Sequence, residues 1–168
     1  MKAPISSLLL LLIMALLPKS GSAQVYIGLD GLTCSMWSNR IYNSLRKMDG
    51  VKEVKMDLNE NIAEVIFKKD NAPNYSKLSQ GVYDAGFSVR FIKDKITLPS
   101  SMVKFGTSYI VNENKYIYIG QEDKTTEGEM TISLIGKGFL ARKDLKKFES
   151  TLKTFKNTSI GHTYYFIF

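Results

Sequence analysis

The chain has 168 residues of ordinary apolar content, which argues against a wholly disordered chain or a fibrous repeat and leaves room for one good core or two small ones. Its formal charge of +7 is mild for this length, so a slightly cationic solvated surface accounts for it without a polyanionic partner. A single cysteine, Cys34, excludes any disulfide within the chain.

The first element in chain order is a leader. Lys2 is a positive start, Leu8 to Leu17 form a short apolar run, and Gly21-Ser22-Ala23 place small side chains before Gln24. Residues 1–23 therefore read as a signal peptide cleaved near Ala23-Gln24, which places the mature chain outside the cytoplasm, periplasmic or secreted. The apolar run breaks at Pro18-Lys19-Ser20, well short of the about 20 residues a bilayer core requires, so no stable transmembrane anchor is expected. Lys2 and Lys19 leave with the leader, which lowers the charge from +7 to +5. Export also argues against a nucleic-acid partner and makes the lone thiol of Cys34 notable. In an oxidising or thiol-poor compartment it is buried and inert, bridges to another chain, or binds a soft metal.

From Gln24 to Ile92 the hydrophobic period switches between two and 3.6. Val25 to Leu29 read as a strand, followed by the turn Asp30-Gly31-Leu32-Thr33. A helix follows, on which Trp37, Ile41, Leu45 and Met48 form one apolar stripe, and Asp49-Gly50 closes it. Val54, Met56 and Leu58, then Ala63, Val65 and Phe67, alternate with polar residues as a hairpin around Asn59-Glu60-Asn61. Tyr75, Leu78, Val82 and Ala85 mark a second helix stopping at Gly86, and Phe87 to Ile92 close the unit as a strand. The order β-α-β-β-α-β defines the ferredoxin-like fold, which carries no function by itself.

The residues running from Gly31 through Cys34, Trp37 and Ile41 to Leu45, then Met48-Asp49-Gly50-Val51 and Asp84-Ala85-Gly86-Phe87, resemble the heavy-metal-associated domain of copper chaperones and metal-transporting ATPases. The resemblance covers about seventy residues, 24–93. It implies a Gly-Met-x-Cys-x-x-Cys loop whose two thiolates hold Cu(I) or another soft ion at the start of the first helix. Here Gly31, Thr33 and Cys34 match, Leu32 replaces the methionine, and Trp37 stands where the second cysteine belongs, so the chelate is broken. It also implies that the aromatic ring of Phe87 packs beside the metal loop.

Physical chemistry assigns the loop the following roles. A thiolate at a helix N-terminus is stabilised by about 0.3–1 kcal/mol, which makes Cys34 a better ligand than a free thiol. A second sulfur would come from Met36, two residues on, or from Cys34 of a second chain. Met36 also reads simply as a first-turn helix residue. Trp37 reads as a core or interface anchor, and more sharply as the hot spot of a docking surface.

Residues 94–101, containing Pro99-Ser100-Ser101, are expected as a linker, and 102–168 as a small strand-rich α+β module of unrecognised family. In it Met102 to Val111 and Lys115 to Ile119 flank Asn112-Glu113-Asn114, Glu129 to Ile135 form a strand, Leu140, Leu145, Phe148 and Leu152 one helix, and His162 to Phe168 a last strand. The fold class expected is thus α+β, a ferredoxin-like domain followed by this module. The basic helix carrying Arg142, Lys143, Lys146 and Lys147 reads as a solvated face. His162 is the sole histidine; one Cys and one His in different modules make no catalytic set, and no phosphate loop or dinucleotide fingerprint occurs, so the chain is not expected to be an enzyme.

The function expected is soft-metal, copper, binding or transfer through Cys34. A homodimer bridged at Cys34 or a metal-handling protein would be the partner. The alternative is a metal-free interaction module docking through Trp37 and the sheet face.

Overall fold

The computed structural model describes residues 22–31, 35–155 and 162–168, and it leaves out the side chains of 35–37. The expected leader lies outside the described residues except for Ser22 and Ala23. Ala23, on the near side of the expected cleavage point, accepts a hydrogen bond from the Phe67 backbone amide at 2.9 Å.

The first half follows the expected order: β1 (Gln24–Asp30), α1 (Ser35–Arg46), β2 (Val51–Asp57), β3 (Ile62–Phe67), α2 (Tyr75–Asp84) and β4 (Ser88–Val103). Its strands lie in the order β2-β3-β1-β4 and all pair antiparallel. Period-two alternation sends Val25, Ile27 and Leu29 to one face, where they join Ile41 and Leu45 of α1 and Leu78 and Val82 of α2 in the core. Asn74 caps α2, its Oδ1 accepting from the Lys77 amide at 3.0 Å. At the other end of α2 the Gly86 amide donates to Tyr83 O and the Phe87 amide to Val82 O, a Schellman pair around Gly86 at φ +92°.

The expected linker is corrected. Residues 94–101 lie inside β4, which runs for 16 residues and pairs with β7 (Lys124–Ile135) from Lys93 opposite Ser133 to Val103 opposite Lys124. The cause is legible along the strand: Ile92, Asp94, Ile96 and Leu98 alternate with Lys93, Lys95 and Thr97, and the first four are buried. Pro99 lacks the N–H a ladder requires and sits where the β4–β7 register shifts, between Leu98 and Ser101. Thr126 Oγ1 secures that bulge by donating to Pro99 O at 2.7 Å.

The second half continues the same sheet rather than forming a layer of its own. β5 (Ser108–Val111), β6 (Asn114–Tyr118) and β8 (Thr163–Ile167) complete eight strands in the order β2-β3-β1-β4-β7-β8-β6-β5, with β6 and β8 the parallel pair. Asn112 and Glu113, both at positive φ, make the two-residue β5–β6 turn. Met102 and Val103 end β4 instead of opening that hairpin. The expected single helix is three short pieces, α3 (Arg142–Leu145), a 3-10 turn (Lys146–Phe148) and α4 (Glu149–Thr154).

One apolar cluster runs from Val25 and Ile41 through Ile96 and Ile132 to Phe166. A smaller one on the opposite face joins Ile117, Ile119 and Ile135 to Leu145, Phe148 and Leu152. No helix among the described residues is long and apolar enough to cross a membrane.

Candidate functional site

The site expected from the sequence lies between β1 and α1. β1 ends at Asp30, Gly31 takes φ +90°, and α1 begins at Ser35. A left-handed φ is readily available only to glycine, so Gly31 lets the chain leave the strand and approach the helix start. Cys34, with Leu32 and Thr33, lies outside the described residues, as do the side chains of Met36 and Trp37, whose backbones form the first turn of α1. The structure therefore defines the frame of the loop.

Three features build that frame. Phe87, delivered by the Schellman turn, is buried with its ring against the loop: a Cβ added to Gly31 would stand 3.7 Å from Phe87 Cδ1. The aromatic neighbour implied by the resemblance is thus in place. The β2–β3 turn lies beside it, where the Leu29 amide donates to Asn61 O at 2.9 Å and Arg90 Nη2 to Glu60 O at 2.9 Å. The helix itself is fixed from behind by fully buried Ile41 and Leu45 and by Ser44 Oγ, which donates to Gly81 O of α2 at 2.9 Å. Glycine at 81 leaves room for that bond, since a Cβ there would meet the flexible end of Met48 and stand 3.0 Å from Ser44 Oγ, so both would have to move.

His162 is not brought to this frame. Its ring stacks on Tyr164 at 6.5 Å, and Tyr164 meets Tyr75 at the first residue of α2, with ring centroids 4.6 Å apart. Gly31 lies past the other end of that helix, beside Phe87, and ten helical residues span about 15 Å. Among the described residues no group of three or more His, Cys, Asp or Glu could hold a metal ion.

A second constellation lies where the sequence suggested a linker. Asp94 is 1 % exposed and its Oδ2 accepts a hydrogen bond from Tyr75 Oη. Tyr75 Oη shares a further bond of 2.7 Å with Tyr116 Oη, and Asn114 Nδ2 donates to Pro73 O at 2.9 Å. Asp94 Oδ1 closes no hydrogen bond. Burial pushes the Asp94 carboxyl up to about 7 against the opposing effect of the Tyr75 hydroxyl, and burial first, then Asp94, holds Tyr75 well above the usual phenol range. The signal available in the sequence was the alternation Ile92, Asp94, Ile96, which puts a carboxylate on the inward register.

The first half is thus a ferredoxin-like α+β unit with a glycine-led loop entering its first helix. No family model matches the chain. Over 86 residues it is 27% identical to the copper-transporting ATPase RAN1 of Arabidopsis thaliana, a match taking in 51% of this chain and 8% of that protein. The chain therefore spans under a tenth of that relative's length. Among solved structures, oxidised MerP from Ralstonia metallidurans is 28% identical, with 41% of this chain and 97% of that one covered and a TM-score of 0.37. A yeast copper transporter domain, solved in apo and Cu(I)-loaded states, is 26% identical over 39% of this chain and 88% of its own, with a TM-score of 0.35. By element order and sequence likeness, the first half is similar to the heavy-metal-associated, copper-chaperone-like family.

Proposed function

We propose that the protein handles a soft metal ion, Cu(I) above all, outside the cytoplasm, with Cys34 as its thiolate ligand. The observation that carries this reading is the likeness to a copper-transporting ATPase over half the chain, coincident with a glycine-led loop that holds the only thiol and opens onto helix α1. A thiolate at a helix N-terminus is favoured by the unpaired amides of the first turn and suits a soft ion far better than a hard one. Because Trp37 stands in place of the second cysteine, Cys34 completes a two-sulfur site with Met36, with Cys34 of a second copy, or with a sulfur of a metal-handling partner during transfer. Export follows from the leader over 1–23, and N-terminal sequencing of the secreted or periplasmic protein is expected to read from Gln24.

Anaerobic titration of reduced residues 24–168 with Cu(I), against a competing chromophoric chelator, tests the metal reading when Cys34→Ser is run alongside. Wild type is expected to compete and Cys34→Ser to lose that competition. One metal per two chains supports a Cys34-bridged dimer, and one per chain calls for a second ligand within the chain, to be sought at Met36 and His162. Equal behaviour of the two proteins removes Cys34 as the ligand.

A second reading has its own support. The sheet face turned away from α1 and α2 carries Phe91 beneath Arg90 and Lys93, at 5.3 and 5.2 Å, and Tyr26 beneath Lys95 at 5.9 Å. Aromatic rings flanked by cations suit a protein partner. Under this reading the domain docks without metal through Trp37 and that face, and Trp37→Ala abolishes partner capture while Cys34→Ser does not.

A further inference from the structure

We propose that Asp94 is a buried proton-binding site joining the two halves of the molecule, and that loss of its proton loosens the joint. Asp94 lies on β4, the strand shared by both halves. It faces Tyr75 of α2 from the first half and Tyr116 of β6 from the second, and those two hydroxyls are themselves bonded. Asn114 of β6 reaches back to Pro73 O, just before α2, so a second polar link between the halves lies beside this one.

No cation faces Asp94; the Tyr75 hydroxyl and the backbone amides of Lys95 and Gln24 are what oppose its burial. From α2 it meets Tyr75, from β6 Tyr116, and from β8 the ring of Tyr164 stands against Tyr75. On β1 it is paired with Val25 and on β7 with Ile132. The charged group of β7 that acts on it is Glu129, of the same sign. Its own neighbours Lys93 and Lys95 alternate to the other face, where their ammonium groups lie over Phe91 and Tyr26. With Oδ1 closing no well-formed hydrogen bond, an ionised Asp94 would be a buried charge held by the Tyr75 hydroxyl and the backbone amides of Lys95 and Gln24, with no cation beside it; burial outweighs those donors, and a neutral carboxyl is the form this site accommodates.

The sign follows by linkage. The folded carboxyl holds its proton up to about 7, whereas the unfolded one releases it near 3.8. The folded state therefore binds more protons between those values; the stability is fully present below the lower one and is lost as pH rises through the upper one. Over that interval the unfolding equilibrium constant is expected to rise by up to about tenfold per pH unit from this group.

Denaturant midpoints of the full chain measured from pH 5 to 8.5 test this, with the Asp94 carboxyl followed directly by carbon-13 NMR. The wild-type midpoint is expected to fall from pH 5 to about 7 and then to level off, Asp94→Asn to remove that fall and to exceed wild type at pH 8, and His162→Gln, which deletes the sole histidine, to keep the wild-type profile. The carboxyl resonance is expected to titrate near neutrality. An Asp94→Asn protein that keeps the slope overturns the proposal, and so does a carboxyl that titrates below pH 5. If Asp94→Asn does not fold, the carboxyl titration in wild type decides alone.

Discussion

At Trp37 a single residue separates this loop from a chelating one. Gly31, Thr33 and Cys34 keep the pattern of a two-cysteine loop, and α1 begins at Ser35 on a frame closed by Phe87 and the β2–β3 turn. Trp37→Cys returns a second thiol to the first helical turn, three residues from Cys34. A second ligand held in the same turn acts at a high effective concentration, so Cu(I) is expected to bind on the order of 100-fold tighter, at one metal per chain. The same chelator competition measures it, and an unchanged affinity would mean that this frame does not bring the two positions together. The expectation for this loop was readable from motif and spacing, with Cys34 itself outside the described residues. Asp94 was not, because its meaning depends on Tyr75 and Tyr116, 19 and 22 residues away along the chain, and on a strand register that Lys93-Asp94-Lys95 conceals when read as a charged linker.

Among the elements, the contact between α1 and α2 determines where the loop sits. Gly81 permits the helices to approach closely enough for Ser44 Oγ to reach its carbonyl, and Met48 occupies the space a side chain would take. Gly81→Val must push Met48 and Ser44 aside, an overpacking expected to outweigh the gain in helix propensity and to cost about 1 kcal/mol in urea unfolding. Ser44→Ala removes the bond alone and is expected to cost about 1 kcal/mol. If Gly81→Val unfolds no more easily than wild type, the two helices are not in this contact. Both helices, the stop at Gly86 and the β2–β3 hairpin were legible from periodicity and composition; α1 ends at Arg46, short of the Asp49-Gly50 expected to close it, and the Asn74 cap was not read. β4 was legible only in part: Pro99-Ser100-Ser101 carries the composition of a linker, and a bulge held by Thr126 admits the proline into a strand. The helix expected around Leu145 and Phe148 spaces its apolar residues by five, three and four, which three short turns satisfy as well as one helix.

For the whole molecule, the decisive property is that the halves share a strand and a core. β4 gives its first residues to β1 and its remainder to β7, and the apolar cluster passes from Ile41 to Phe166 without a gap. A sheet shared in this way resists splitting, because separating the halves would bare the β4 edge and expose Tyr75, Ile96 and Ile132, all buried. The chain is therefore expected to unfold in one cooperative step. Two built-in probes report on it separately. Trp37, the only tryptophan, reads the first half by fluorescence. The packed rings of Tyr116, Tyr118, Tyr164 and Phe166 lend the second half a share of the near-ultraviolet circular dichroism. Coincident urea transitions by both probes are expected at pH 6, where Asp94 keeps its proton. Two separated transitions there would make β4 a hinge between autonomous domains. Coincidence at pH 6 with separation at pH 8.5 would show that a single carboxyl sets whether the halves unfold together.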